Sequence, residues 1–182
     1  MRKNKLAFID TETTGFDPSM HELVEIGAIL VEQDWTGDKP VFTVVDEFSI
    51  KIKPTHIETA DPVSLKVIKY SEEDWADALD LKKALKIFNE KTKDSIMVAH
   101  NMHFDASFLD YAYKSTGLEN KMHYLKIDTI TMAFAKLHDR DDIDKYSLRN
   151  LCEYFKIENK NVHSALSDAH ALFELYKNLI NI

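Results

Sequence analysis

Residues 8–16 read Phe-Ile-Asp-Thr-Glu-Thr-Thr-Gly-Phe, an apolar run that ends in two acids one residue apart. The run from Leu6 to Ile9 is continuously apolar, as in a strand buried on both faces, and the turn-rich Thr13-Thr14-Gly15-Phe16-Asp17-Pro18 closes it. Side chains on a strand repeat every two residues, so Asp10 and Glu12 face the same side. Two carboxylates about 4 Å apart at an effective dielectric near 20 repel by about 4 kcal/mol, enough to force one to hold a proton or the pair to bind a cation.

Outward from this strand, residues 23–32 and 41–53 are β-branched and partly alternating, separated by a Gly-Asp-Lys-Pro connection at 37–40. Three strands in an antiparallel meander are predicted. From Asp61 the apolar period becomes helical, first at 62–68 and then over about 74–91, with Trp75, Leu79, Leu85 and Phe88 facing inward. Residues 96–99 and 125–128 read as short strands. Residues 104–115, ending at Gly117, and 129–137 read as helices. Strand and helix then alternate, which calls for parallel crossovers. Helices at 147–155 and 165–179 complete an α/β domain taken as one unit over 1–182.

The 182 residues are 45% hydrophobic, enough for a sizeable core, and 31 acidic residues against 23 basic ones give a net charge of −8. Such a balance disfavours a broad basic surface for nucleic acid, but divalent ions bound at an acidic site would supply their own attraction for a phosphate. No run reaches the length of a membrane span, and the single Cys152 has no partner for an internal disulfide. A cytoplasmic location is the expectation, with no membrane partner. The mostly charged stretch 139–145 reads as an exposed loop.

Two further carboxylates belong with Asp10 and Glu12. Asp105 lies in His100-Asn101-Met102-His103-Phe104-Asp105, where the chain passes from a strand into a helix, and Asp168 lies in the first turns of the last helix, one turn before the apolar Leu172. His163 precedes Asp168 by five residues, about 140° round a helix, so the two aim at one point if His163 sits on the loop before it. Four carboxylates without paired cysteines describe a hard-cation site suited to Mg²⁺ or Mn²⁺. A pair of such ions can stabilise both the attacking and the leaving oxygen of a displacement at phosphorus, and a histidine at the edge can take the proton of the attacking water.

Asp10-Thr11-Glu12-Thr13-Thr14-Gly15, His100-Asn101 with Phe104-Asp105, and His163 with Ala165-Leu166 and Asp168-Ala169 together resemble the three motifs of the DEDDh exonuclease superfamily. The resemblance runs in order from Lys5 to Tyr176. It implies an RNase H-like fold, a mixed five-stranded sheet flanked by helices, which agrees with the meander-then-crossover order. It further implies a 3′-to-5′ exonuclease that uses two divalent cations, Mg²⁺ or Mn²⁺, to release nucleoside 5′-monophosphates from single-stranded nucleic acid, DNA ahead of RNA. By the same resemblance Asp10, Glu12, Asp105 and Asp168 are metal ligands and His163 is the general base. Thr13, Phe16 and Phe104 match positions that touch the terminal nucleotide. The implied partners are the 3′ end of a single strand and a polymerase or other replication or repair protein. Ile68 and Lys69 depart from the pattern, standing where polymerase-associated relatives often carry a His-Gly pair.

Blander readings exist for each residue. Asp10 and Glu12 alone could be solvated acids on a turn, and Phe16 and Phe104 could be core aromatics. His100 and Asn101 are expected to fix the backbone beside Asp105. His21, His56, His103, His123, His138 and His170 show no ligand spacing. The rival to catalysis is a non-catalytic binding module that keeps the fold and the acidic site.

Overall fold

β1 (Leu6–Thr13) is the middle strand of a five-stranded sheet with order β3-β2-β1-β4-β5. The computed structural model describes residues 4–159 and 164–182. β2 (Leu23–Asp34) pairs antiparallel with β1, and β3 (Val41–Lys51) antiparallel with β2. β4 (Ile96–Ala99) and β5 (Lys126–Asp128) then add in parallel, β4 against β1 and β5 against β4. The meander and the parallel crossovers are therefore as the sequence predicts.

Helices cover both faces, and the period of two along β1 sorts the core between them. Ala7 and Ile9 pack with Leu85 and Phe88 of α2 (Leu81–Thr92) and with Phe108 and Leu109 of α3 (Met102–Thr116). Leu6 and Phe8 pack on the other face with Leu172, Phe173 and Tyr176 of α6 (Ala165–Ile180). A short helix, α1 (Pro62–Val67), lies between the meander and α2. α4 (Thr129–Leu137) and α5 (Leu148–Phe155) close a third apolar cluster against Leu175 and Leu179 of α6. Phe8 and Phe88 are among the largest fully buried side chains, each worth about 1.5–3 kcal/mol on burial.

One element differs from its sequence reading. The helix predicted over 74–91 begins only at Leu81, where the Asp80 carboxylate caps it by accepting from the Lys83 N–H. The preceding residues are turns, held by Ser71 Oγ donating to Asp74 and by Trp75 Nε1 donating to the Val24 carbonyl. Leu79 then forms a parallel bridge with Ile52 just past β3. Trp75, Leu85 and Phe88 are buried as expected, but Trp75 reaches the core from a turn. The remaining boundaries agree to within about two residues, and α3 ends at Gly117 in the left-handed conformation, φ 66°.

Candidate active site

The last residues of β1 carry the acids on the face that α6 covers. Asp10 and Glu12 continue the even-numbered face of Leu6 and Phe8, and α6 begins directly above them. Asp10 pairs across the ladder with Gly27 of β2. A Cβ on Gly27 would lie 2.1 Å from the Ala165 carbonyl carbon, so the missing side chain is what lets the start of α6 touch the sheet. That close approach delivers Asp168, and one carboxylate oxygen from each of Asp10, Glu12 and Asp168 lies within 4.8 Å of the other two.

Asp105 arrives from the opposite face. It stands in the first turn of α3, and its Oδ1 accepts from the Thr11 N–H at 3.0 Å and from Thr11 Oγ1 at 2.8 Å. Thr11 is the odd-numbered residue between the two acids, so Asp105 grips the strand from behind and does not join the tight group of three. His163 lies outside the described residues.

Burial and mutual repulsion make the acids weak. Burial raises the Asp10 pKa well above the ordinary carboxylate range, with Asp105 the largest of the negative neighbours and Glu12, Asp168 and Glu25 adding to it. Burial, followed by Asp168, Glu25 and Asp105, pushes Glu12 up to about 8. Burial pushes Asp105 up to about 7 against the two hydrogen bonds from Thr11. Without a counter-charge this cluster keeps protons that ordinary carboxylates release. An all-oxygen donor set of crowded, buried acids fits a hard divalent cation, which would take the place of those protons.

Two contributors escaped the sequence reading. Glu25 faces Glu12 across the β1–β2 ladder and accepts from Ser49 Oγ at 2.7 Å. Its role depends on strand register, which the local pattern does not reveal. Asn159 donates its side-chain amide to Asp168 Oδ1 and accepts from Ser167 Oγ at 2.9 Å, orienting the acid from the segment before α6. Asn159 stands nine residues before Asp168 with no motif to mark it.

Beside the acids a cavity of about 200 Å³ opens between β1, α1 and α3. Thr13, Phe16 and Phe104 all line it, together with Val63, Ser64 and Ile68. The Phe16 ring is 75% exposed and stands edge-on to Phe104 at 6.3 Å, while Phe104 leans on Phe108 at 5.0 Å. Phe104 is thus anchored to the core and Phe16 is free to meet a ligand. Thr13 Oγ1 donates to the Gly15 carbonyl at 2.6 Å, which shapes the turn after β1. The Asp61 N–H donates to the Thr14 carbonyl at 2.8 Å, and the Asp61 carboxylate caps α1, fixing that helix as the cavity's outer wall. Ile68 lies at its buried end, and Lys69 takes the left-handed conformation, φ 53°, that glycine adopts more freely.

His100 and Asn101 act on the backbone, as their sequence context suggests. His100 Nε2 contacts the Tyr146 carbonyl and Nδ1 contacts Thr129 Oγ1, both at 2.9 Å. Asn101 is left-handed, φ 65°, and its N–H donates to Asp128, which also caps α4. This pins the turn from β4 into α3 that places Asp105.

Residues 7–176 match the profile of the RNase_T family, described as exonuclease. The chain belongs to this exonuclease family. It is 33% identical to the DNA polymerase III subunit epsilon of Rickettsia prowazekii, over 92% of this chain and 70% of the relative. It is 29% identical to the subunit epsilon of Haemophilus influenzae, over 95% of this chain and 66% of the relative. It is also 29% identical to the DNA polymerase III PolC-type of Caldanaerobacter subterraneus, where it spans only 11% of the relative's length. Among solved structures, E. coli exonuclease I in complex with a dA16 oligonucleotide superposes with a TM-score of 0.79 at 15% identity, covering 98% of this chain and 42% of that one. The mixed sheet with flanking helices is the RNase H-like fold that the sequence implies. Among the described residues no helix is long and apolar enough to cross a membrane.

Proposed function

We propose that the chain is a single metal-dependent 3′-to-5′ exonuclease domain that acts in the cytoplasm on single-stranded nucleic acid, DNA ahead of RNA. The observation that carries this reading is the group of three carboxylates within 4.8 Å beside a cavity walled by Phe16 and Phe104. Asp10, Glu12 and Asp168 would hold divalent cations, two Mg²⁺ or Mn²⁺, with Asp105 as the fourth carboxylate of the set. Bound there, such cations supply charge stabilisation for the phosphodiester oxygens and lower the pKa of water.

The chain's own residues do the rest. Phe16 and Phe104 offer ring faces to the terminal base, a contact that tolerates any sequence. Thr13 and the turn after β1 border the terminal nucleotide. His163 takes the proton from the attacking water. Attack at phosphorus breaks the bond to the 3′ oxygen of the penultimate nucleotide, which leaves as a new 3′-hydroxyl, and the terminal residue departs as its 5′-monophosphate. The names of the epsilon and PolC-type relatives support a polymerase or other replication protein as a partner.

A panel of 5′-labelled single strands with deoxy or ribo 3′ ends, incubated with Mg²⁺ or Mn²⁺, tests the reading. Stepwise shortening with a faster deoxy end is expected. A strand bound but left whole on every end would make the protein a binding module.

A further inference from the structure

The cavity beside the acids is graded by depth. Its rim is apolar and open, with Phe16 75%, Val63 65% and Val67 38% exposed. Its floor is closed and mostly polar, with Thr11, Glu12, Thr13 and Ser64 each 9% exposed or less and Ile68 the one apolar side chain among them at 6%. Two of the three floor hydroxyls are already engaged, Thr11 Oγ1 with Asp105 at 2.8 Å and Thr13 Oγ1 with the Gly15 carbonyl at 2.6 Å. The Ser64 hydroxyl is different. Among the described residues it has no hydrogen-bond partner, and its oxygen is not sealed into the core but stays open to the cavity.

A hydroxyl open to the cavity is free to exchange water for a ligand group, and one neutral hydrogen bond made there is worth about 0.5–1.5 kcal/mol net. The Ser64 side chain shares a face of α1 with Val67 and Ile68, three and four positions on, and points with them into the cavity. A nucleotide entering this space has one flat, apolar part and one hydroxylated part. The base matches the rim, where the aromatic ring and the valines meet it, and the sugar matches the floor. A serine hydroxyl donates and accepts, as does a sugar hydroxyl, so the two can pair in either sense.

We propose that Ser64 Oγ is the hydrogen-bond partner of the free hydroxyl on the sugar of the terminal nucleotide. This rests on the exonuclease function proposed above and adds a specificity residue to it. The enzyme then senses a free sugar hydroxyl at the end it removes, in addition to stacking on the base.

The test compares wild type with Ser64→Ala on single strands that end in a 2′-deoxynucleotide, a ribonucleotide or a 2′,3′-dideoxynucleotide. Loss of one neutral hydrogen bond predicts a fall in kcat/KM of about three- to ten-fold on hydroxyl-bearing ends, carried by KM, with no change on the dideoxy end. A fall on the deoxy end assigns the 3′-hydroxyl, and a fall confined to the ribo end assigns the 2′-hydroxyl. An equal fall on the dideoxy end, or no fall on any end, overturns the proposal. Calorimetry in Mg²⁺ with uridine 5′-monophosphate and its 2′,3′-dideoxy analogue gives a second readout that needs no turnover. Wild type should prefer the hydroxylated ligand and Ser64→Ala should lose that preference; equal affinities in wild type would also overturn it. Absence of strand shortening with the binding preference intact would count against the exonuclease reading alone.

Discussion

Gly27 of β2 lies against the backbone of Ala165 at the start of α6, so close that an added Cβ would meet the carbonyl carbon at 2.1 Å and the Leu166 nitrogen at 2.2 Å. Both atoms are backbone and cannot swing aside, so any side chain at 27 lifts the helix. Asp168 rides on that helix and the opposing Asp10 pairs with Gly27 itself, so the substitution acts where the three acids meet. Gly27→Ala should lose exonuclease activity and Mn²⁺ affinity together. Overpacking of this kind costs about 1–3 kcal/mol, which thermal unfolding would register. Retained Mn²⁺ affinity in a destabilised Gly27→Ala protein would show that the helix seat does not set the acid geometry.

The acids also make stability depend on pH. Glu12 moves from an ordinary 4.5 to about 8 on folding, and Asp105 from 3.8 to about 7. The folded protein keeps these protons at pH values where the unfolded chain has released them, so folding is favoured at low pH and the benefit is lost as pH rises through the folded values. Without divalent cations, stability measured by urea unfolding should therefore fall between pH 5 and pH 8. At 1.36 kcal/mol per pKa unit the loss is on the order of a few kcal/mol. Mg²⁺ or Mn²⁺ should restore more stability at pH 8 than at pH 5, because it replaces charge repulsion that protons relieve at the lower pH. A stability that rises toward pH 8 in the metal-free protein would contradict the burial of these groups.

Phe16 separates binding from folding. Its ring is largely exposed and touches Phe104 only edge-on, so Phe16→Ala should leave the melting temperature nearly unchanged. Base–aromatic stacking is worth about 1–3 kcal/mol per base, which predicts a KM increase of roughly ten-fold or more for single strands. Phe104→Ala should show the same kinetic loss with a clear drop in stability, since that ring also packs on Phe108. Unchanged KM in both variants would place the strand end elsewhere.

Much of this site was legible in the chain because it depends on local pattern. The period of two put Asp10 and Glu12 on one face, and the apolar run before them marked β1 as a central strand. The position of Asp168 on the inward side of α6 followed from Leu172 one turn later. What pattern could not supply was the face from which each partner arrives. Asp105 sits on α3, across the sheet from α6, and so bonds to Thr11 between the two acids. Glu25 enters through strand register and Ser64 through the docking of α1 on Thr14, and neither leaves a mark in its own neighbourhood of sequence. The late start of α2 has a similar cause. Helical spacing continued back to Asp74, but Leu79 was taken by a bridge to Ile52 and the Asp80 cap set the first turn.

The proposed role of His163 as general base allows metal binding to be tested apart from proton transfer. As general base it would contribute about 10²–10⁴-fold to the rate, so His163→Ala should lose activity on that scale while Mn²⁺ affinity, read by calorimetry, stays within a few-fold of wild type. Full activity in the variant would mean that another group accepts the proton.

The most direct measurement follows a 5′-labelled single strand, resolved nucleotide by nucleotide, with wild type and with Asp10→Asn in Mg²⁺ or Mn²⁺. Wild type should give a ladder that shortens from the 3′ end and releases nucleoside 5′-monophosphates, and Asp10→Asn or chelator should leave the strand whole. Shortening that survives Asp10→Asn, or no shortening by a wild-type protein that binds the strand, would contradict an exonuclease site built on the β1 acids.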